Sequence, residues 1–268
     1  MPELPEIETV KRQLTPHLVG QPLLGVVARR AGLRQAFPDL QRLAVGQRVR
    51  EVARRSKYLL ITFETGTLLV HLGMSGHLRW LTKDEPPGKH DHLDLVFKKG
   101  RVRLNDARRF GVVLWQAGGA HHQALANLGP EPLLPGFDGK TLRKALAGRT
   151  TPIKVAIMDP SVVVGVGNIY ATEALFRAKI DPRRRAYDLT LAQCNRLVKE
   201  IKAVLEEGIA QGGSTLRDFH GVGGEVGTFS KTVAVYGRAG QPCRKCYSLL
   251  SSVKLGGRAS VWCSHCQK

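Results

Sequence analysis

Cys243-Arg-Lys-Cys246 and Cys263-Ser-His-Cys266 stand sixteen residues apart at the end of the chain. That is the spacing of a zinc ribbon, in which each pair lies on a tight knuckle and one ion closes a hairpin. Two disulfides are the alternative reading. The only other cysteine, Cys194, stands alone in a helical pattern, and this usage fits a reducing cytosol with a metal site better than a disulfide scaffold. A segment this small buries too little apolar surface to fold alone, so one structural zinc ion is the expected cofactor, supplying the folding energy. Gly256-Gly257 falls between the pairs and marks the hairpin turn, which sets Arg258 near the tip. His265 is off the ligand pattern.

Upstream of the finger a glycine-rich stretch runs from Gly212 to Gly227. Before it, helical periodicity covers Thr141 to Ala147, Ile169 to Ala178 and Leu191 to Ile209. Nearer the start, Tyr58 to Phe63, Thr67 to Leu72, Leu93 to Phe97, Arg101 to Leu104 and Val112 to Trp115 read as strands between turn signals such as Lys99-Gly100. Leu4, Ile7, Val10, Leu14 and Leu18 predict one opening helix that ends near Gly20. The expected fold class is α+β. An N-terminal helix and β-sandwich would occupy residues 1–131, a helical segment 132–234 and the finger 235–268.

Lysine and arginine outnumber aspartate and glutamate by 41 to 22, a formal charge of +19 that points to a polyanionic partner. Residues 1–10 carry three glutamates and no basic leader, and no apolar run is long enough for a membrane span. A cytoplasmic location is therefore expected, with no membrane partner.

Pro2 becomes the first residue if Met1 is removed, and its secondary amine is then free. An α-amino group titrates near ~8, against ~10.4 for lysine, so part of it is neutral and nucleophilic at cytosolic pH. Attack on the anomeric carbon of a deoxynucleotide would expel the base and leave an iminium, which acidifies C2′–H and opens β-elimination. Glu3 is placed to protonate the leaving group or the ring oxygen. The ordinary structural reading also stands, because proline and glutamate are favoured in a first helical turn.

Gly165-Val-Gly167 precedes a helix, yet Tyr170 fills the third glycine's place of a dinucleotide fingerprint and no strand-helix alternation surrounds it. The better account is that amides at this helix start, with Asn168, hold a DNA phosphate. His90 and His92 lie two apart, as a metal pair or as a strand edge facing a duplex.

Met1-Pro-Glu-Leu-Pro-Glu-Ile-Glu-Thr9, His71-Leu-Gly-Met-Ser-Gly76, Val164-Gly-Val-Gly-Asn-Ile-Tyr170 and the four-cysteine finger, in this order, resemble the formamidopyrimidine-DNA glycosylases over essentially the whole chain. Leu4 and Glu8-Thr9 resemble that branch rather than endonuclease VIII. The resemblance implies a helix-two-turn-helix in the middle segment and a zinc finger that sets Arg258 on the DNA backbone. Pro2 would be the Schiff-base nucleophile and Glu3 the proton donor, with Lys57 serving β-elimination and Arg258 δ-elimination. His90, Arg108 and Arg149 resemble DNA-contacting positions, and Lys154 would join the phosphate site of Asn168. Met74, Arg108 and Phe110 resemble a wedge that fills the gap left by a flipped nucleotide. The loop from Ser214 to Thr228 would close over the lesion and be mobile without DNA. Arg149 stands where a lysine is expected and Tyr247 where a glycine is, and His220 to Gly227 is locally unusual.

The expected function is excision of oxidised purines from duplex DNA with cleavage at abasic sites, by a monomer that needs no redox cofactor. An endonuclease VIII-like enzyme for oxidised pyrimidines and a non-catalytic damage-binding protein are the alternatives.

Overall fold

A computed structural model describes residues 2–120, 122–214 and 220–268. The chain forms two compact units, Met1–Ala126 with Ile209–Ser230, and Asn127–Gly208 with Lys231–Lys268.

In the first unit α1 covers Leu4–Leu18, and the five apolar residues at helical spacing are all buried. The helix stops before the expected Gly20, which has a φ of 79° and donates its amide to Val49 O at 2.8 Å. After it come β1 (Leu23–Ala28), the short α2 (Leu40–Leu43), β2 (Glu51–Arg55), β3 (Tyr58–Thr62) and β4 (Gly66–His71). Next are β5 (His77–Leu81), β6 (Asp91–Phe97), β7 (Gly100–Asn105), β8 (Val112–Ala117) and a turn of helix, α3 (Gln123–Ala126).

The strands make two four-stranded antiparallel sheets, ordered β1-β6-β7-β5 and β2-β3-β4-β8. Alternation orients them: Leu59 and Ile61 point inward from β3, as do Leu68 and Val70 from β4. They share one core with Leu93, Leu95, Val102 and Leu104 of the other sheet and with Ile7, Val10, Leu14 and Leu18 of α1. This is the sandwich behind a helix that the sequence suggested.

The second unit holds α4 (Gly139–Leu146), α5 (Ile153–Met158), α6 (Asn168–Arg177), a 3-10 turn (Ala186–Asp188) and most of α7 (Leu191–Ala210). Asp138 caps α4 by accepting Thr141 N at 2.7 Å. The chain then passes through α8 (Phe229–Thr232) to the finger hairpin, β9 (Ser251–Leu255) and β10 (Arg258–Trp262). Among the described residues no helix is long and apolar enough to cross a membrane.

Sequence order grouped the glycine-rich stretch with the helical segment, but Ile209–Ser230 belongs to the first unit. Val222 enters the sandwich core, and its carbonyl accepts Trp80 N at 2.9 Å. Gln13 of α1 accepts Val222 N at 2.9 Å.

Candidate active site and nucleic-acid interface

Pro2 and Glu3 lead into α1 and both are buried. Glu3 is the N-cap, and its amide donates to Glu6 Oε2 at 2.8 Å. The other Glu6 oxygen accepts Ser214 N at 2.6 Å and Ser214 Oγ at 3.1 Å. Gly213 has a φ of 87°, in the left-handed region that favours glycine, and a Cβ on it would lie 2.9 Å from that oxygen. Glu6 thus fixes both the start of α1 and the root of the loop. Sequence reading passed over it because its partner is 208 residues away. Removal of Met1 and loop residues 215–219 lie outside the described residues. The described remainder of the loop, 220–228, is tied to α1 and β5 through Val222.

Lys57 occupies the turn between β2 and β3, beside Ser56 at a φ of 57°. His71 closes β4 opposite Tyr58, with the two rings 4.9 Å apart. Its Nδ1 accepts Gly73 N at 3.1 Å, which leaves the neutral ring's proton on Nε2. Burial, with the positive charges of Lys57 and Arg34, pushes the His71 pKa down to about 4.

At this end of the sandwich a cavity of about 680 Å³ is lined by Leu33, Arg34, His71, Met74, Arg108 and Phe110, together with Gly73 and Arg109. The three residues that the resemblance implied as a wedge therefore line one cavity. Phe110 is 45% exposed, and the Arg108 guanidinium lies over its ring at 4.9 Å. Arg34 was missed, because nothing local in Gly32-Leu-Arg34 separates it from any exposed arginine.

His90 precedes β6, and its carbonyl accepts Asp106 N at 3.0 Å. Since β6 lies between β1 and β7, it is an interior strand and His90 is not on a strand edge. His92 Nε2 donates to Asp106 O at 2.9 Å. Among the described residues only the four cysteines gather into a metal-binding group of three or more.

In the second unit Gly167 is the N-cap of α6 and Gly165 has a φ of 79°. Lys154 is 1% exposed, so its charge must be compensated. Its Nζ donates to Asn168 Oδ1 at 2.6 Å, Ser260 Oγ at 2.7 Å and Ala259 O at 2.9 Å. Lys154 therefore joins the start of α6 to the finger hairpin beside Arg258, which is exposed. Arg149 pairs with Asp159 at 2.7 Å and donates to Ser161 Oγ at 3.0 Å. Glu173, wholly buried on α6, accepts the amides of Ala234, Val235 and Tyr236 at 2.8, 3.0 and 2.8 Å. It fixes the segment that enters the finger, another long-range anchor invisible in local sequence.

The four cysteine sulfurs lie within 4.8 Å of one another, with Cys246 and Cys263 at 3.4 Å and Cys243 and Cys266 at 4.0 Å. A zinc tetrahedron with bonds of ~2.3 Å sets sulfurs ~3.8 Å apart, so the donor set fits one ion. Gly256 and Gly257, at φ of 54° and 73°, make the hairpin turn as expected.

Residues 1–113 match the family described as the formamidopyrimidine-DNA glycosylase N-terminal domain, 128–220 its H2TH domain, and 240–268 a zinc finger found in FPG and IleRS. The finger is thus a zinc finger for one structural ion. The formamidopyrimidine-DNA glycosylase of Pseudomonas putida strain GB-1 is 52% identical over 270 residues, covering all of both chains. A Lactococcus lactis FPG mutant in complex with DNA containing Fapy-dG superposes with a TM-score of 0.92 at 33% identity over all of both chains. The Lactococcus lactis Fpg bound to DNA with an abasic site gives 0.91 at 33% identity over 99% of each.

Proposed function

Because the chain belongs to the formamidopyrimidine-DNA glycosylase family, we propose that it excises oxidised purines from duplex DNA and then cleaves the strand at the resulting abasic site. The observation that carries the reading is the pair Pro2-Glu3, buried together at the start of α1 with the Glu3 backbone held by Glu6. The relatives bound to Fapy-dG and abasic DNA favour the same class of substrate.

The Pro2 amine, freed by removal of Met1, adds to C1′ while a proton from Glu3 goes to the leaving base or the ring oxygen. The nitrogen lone pair then forms the C=N bond of an iminium on the opened sugar. Loss of the C2′ proton sends its electron pair into the conjugated system and expels the 3′ phosphate. A second elimination expels the 5′ phosphate. Lys57 serves the first elimination and Arg258 the second. Asn168 and the amides at the start of α6 hold a backbone phosphate, with Lys154 acting through Asn168. His90, Arg108 and Arg149 add phosphate or base contacts, for which Arg149 would have to share its guanidinium with Asp159. Met74, Arg108 and Phe110 fill the stack when the nucleotide leaves it. Zinc supplies folding energy to the finger that carries Arg258.

The test is borohydride trapping on an 8-oxoguanine duplex, with peptide mapping of the adduct. Borohydride reduces an iminium to a stable amine, so an adduct at Pro2 is the expected result. No adduct from protein that begins at Pro2 and binds the duplex would overturn the lyase chemistry. A panel including oxidised pyrimidines separates the endonuclease VIII-like alternative, with oxidised purines expected to be cut faster.

A further inference from the structure

Two turns carry the wedge, and they run side by side between the sheets. Leu72–Gly76 leaves β4 and enters β5, while Asp106–Gly111 leaves β7 and enters β8. Their ends are paired across the ladders, His71 with Val112 and His77 with Asn105. Ladder pairing fixes where the turns begin and end, yet it leaves Met74 and Phe110 free to splay at the tips.

Asp106 closes that freedom. Its carboxylate is wholly buried and draws three donors from both turns. Ser75 Oγ donates to Oδ1 at 2.6 Å, Arg108 N to the same oxygen at 3.3 Å, and Gly111 N to Oδ2 at 2.8 Å. Ser75 Oγ also accepts Arg108 N at 3.1 Å, so the hydroxyl bridges the turns in both senses. His92 holds the Asp106 carbonyl from β6. The backbones meet as closely as atoms allow, since a Cβ on Gly73 would lie 2.5 Å from the Phe110 carbonyl carbon. An amide in place of the carboxylate would turn a donor toward at least one of these donors, so only aspartate at this length satisfies all three.

We infer that Asp106, through Ser75, is a positioning residue that sets Met74 and the Arg108-Phe110 pair as one rigid wedge before DNA binds. The inference rests on the proposed function, in that the three tips enter the base stack. Its consequence is preorganisation: ordering the two turns is completed on folding and takes nothing from the energy of nucleotide eversion.

The test compares wild type with Asp106→Asn and Ser75→Ala in three readouts. Excision from a lesion duplex needs eversion. Cleavage of a single-stranded abasic oligonucleotide does not, because no partner strand or stack opposes it. Fluorescence of 2-aminopurine placed beside the lesion reads unstacking without any chemistry. A buried partner lost from such a network changes an equilibrium by roughly tenfold or more, so Asp106→Asn is expected to lower duplex excision and the fluorescence rise by about that factor. Ser75→Ala, the milder change, is expected to follow in the same direction, while single-strand cleavage falls less than about threefold in both. Wild-type excision and fluorescence in both variants would overturn the inference, and so would an equal fall in all three readouts, which marks a general folding defect. A wild type that unstacks the reporter without cutting would instead sink the lyase proposal, and the variants' fluorescence would still decide the clamp.

Discussion

His71 shows how a single side chain is tuned by where the fold puts it. Burial disfavours the imidazolium, and Lys57 and Arg34 add like charge, so the ring stays neutral down to about pH 4. Neutrality matters because Nδ1 must accept the Gly73 amide at the root of the Met74 turn. The sign follows from linkage. Between the ordinary value near 6.5 and about 4 the unfolded chain binds a proton that the folded chain refuses, so this residue lowers stability as pH falls through that window. Proton-detected titration of its ring is expected to give a midpoint near 4, rising toward 6.5 in Lys57→Ala; a midpoint above 6 in wild type would refute the assignment. Lys154 shows a second way of fitting a polar group into the interior, its amine buried against oxygens of Asn168, Ala259 and Ser260. Lys154→Met keeps the length but strands those acceptors, at an expected cost of about 2–4 kcal/mol. A fall in thermal midpoint with faster hydrogen exchange at β10 amides is the outcome to look for; unchanged exchange would mean that the lysine does not hold the hairpin.

Packing between elements can reverse what a residue's own propensity favours. Gly208 lies inside α7, where alanine would ordinarily gain about 1 kcal/mol of helix propensity. A Cβ there would meet the Tyr170 ring of α6 at 2.6 Å, and Tyr170 is wholly buried. Overpacking of this kind costs about 1–3 kcal/mol, so the net effect of Gly208→Ala in denaturant melts is expected to run from about zero to a loss of about 2 kcal/mol, and a gain in stability would show that the helices part easily. The same contrast between local and distant decides what was legible in the sequence. The cysteine knuckles, the α1 stripe and strands with clean alternation such as Leu59 and Ile61 are local patterns, and they were read. Strand β2, Glu51-Val-Ala-Arg-Arg55, buries only Val52 and shows no such pattern. Glycine 25 sits at a bulge in β1 and hides that strand as well. The wedge was named through family likeness, and Pro2-Glu3 from the chemistry of a free terminal amine beside a carboxyl, which the likeness then supported. Their anchors, Glu6 on Ser214 and Asp106 on Ser75, depend on residues brought together only by folding.

For the molecule as a whole, the acidic residues are few and many are already committed to neighbours. Asp94, wholly buried, takes bidentate bonds from Arg29 and from Arg103. Burial alone would raise its pKa, but these guanidinium bonds prevail and hold it at about 2. Its contribution to stability is therefore complete above the ordinary value of 3.8 and is lost as pH falls toward 2, so acid titration of near-UV dichroism is expected to show the sandwich yielding in that range rather than above pH 4. Glu207 is likewise paired with Arg177 and Asp181 with Arg183. With 41 basic residues against 22 acidic, the chain as a whole still carries a formal charge of +19. Solubility does not require +19, and the charge works against compaction through self-repulsion. A phosphate backbone is the partner that turns this cost into affinity, because each phosphate neutralised releases a condensed counterion. Six to ten such contacts would give a slope of about −5 to −9 in log K against log salt, or roughly a 10³- to 10⁵-fold loss between 50 and 200 mM. Anisotropy with an undamaged duplex isolates this term from lesion recognition and chemistry. A slope shallower than about −2 would mean that most of the excess charge never faces DNA, and its role would then have to be sought elsewhere on the surface.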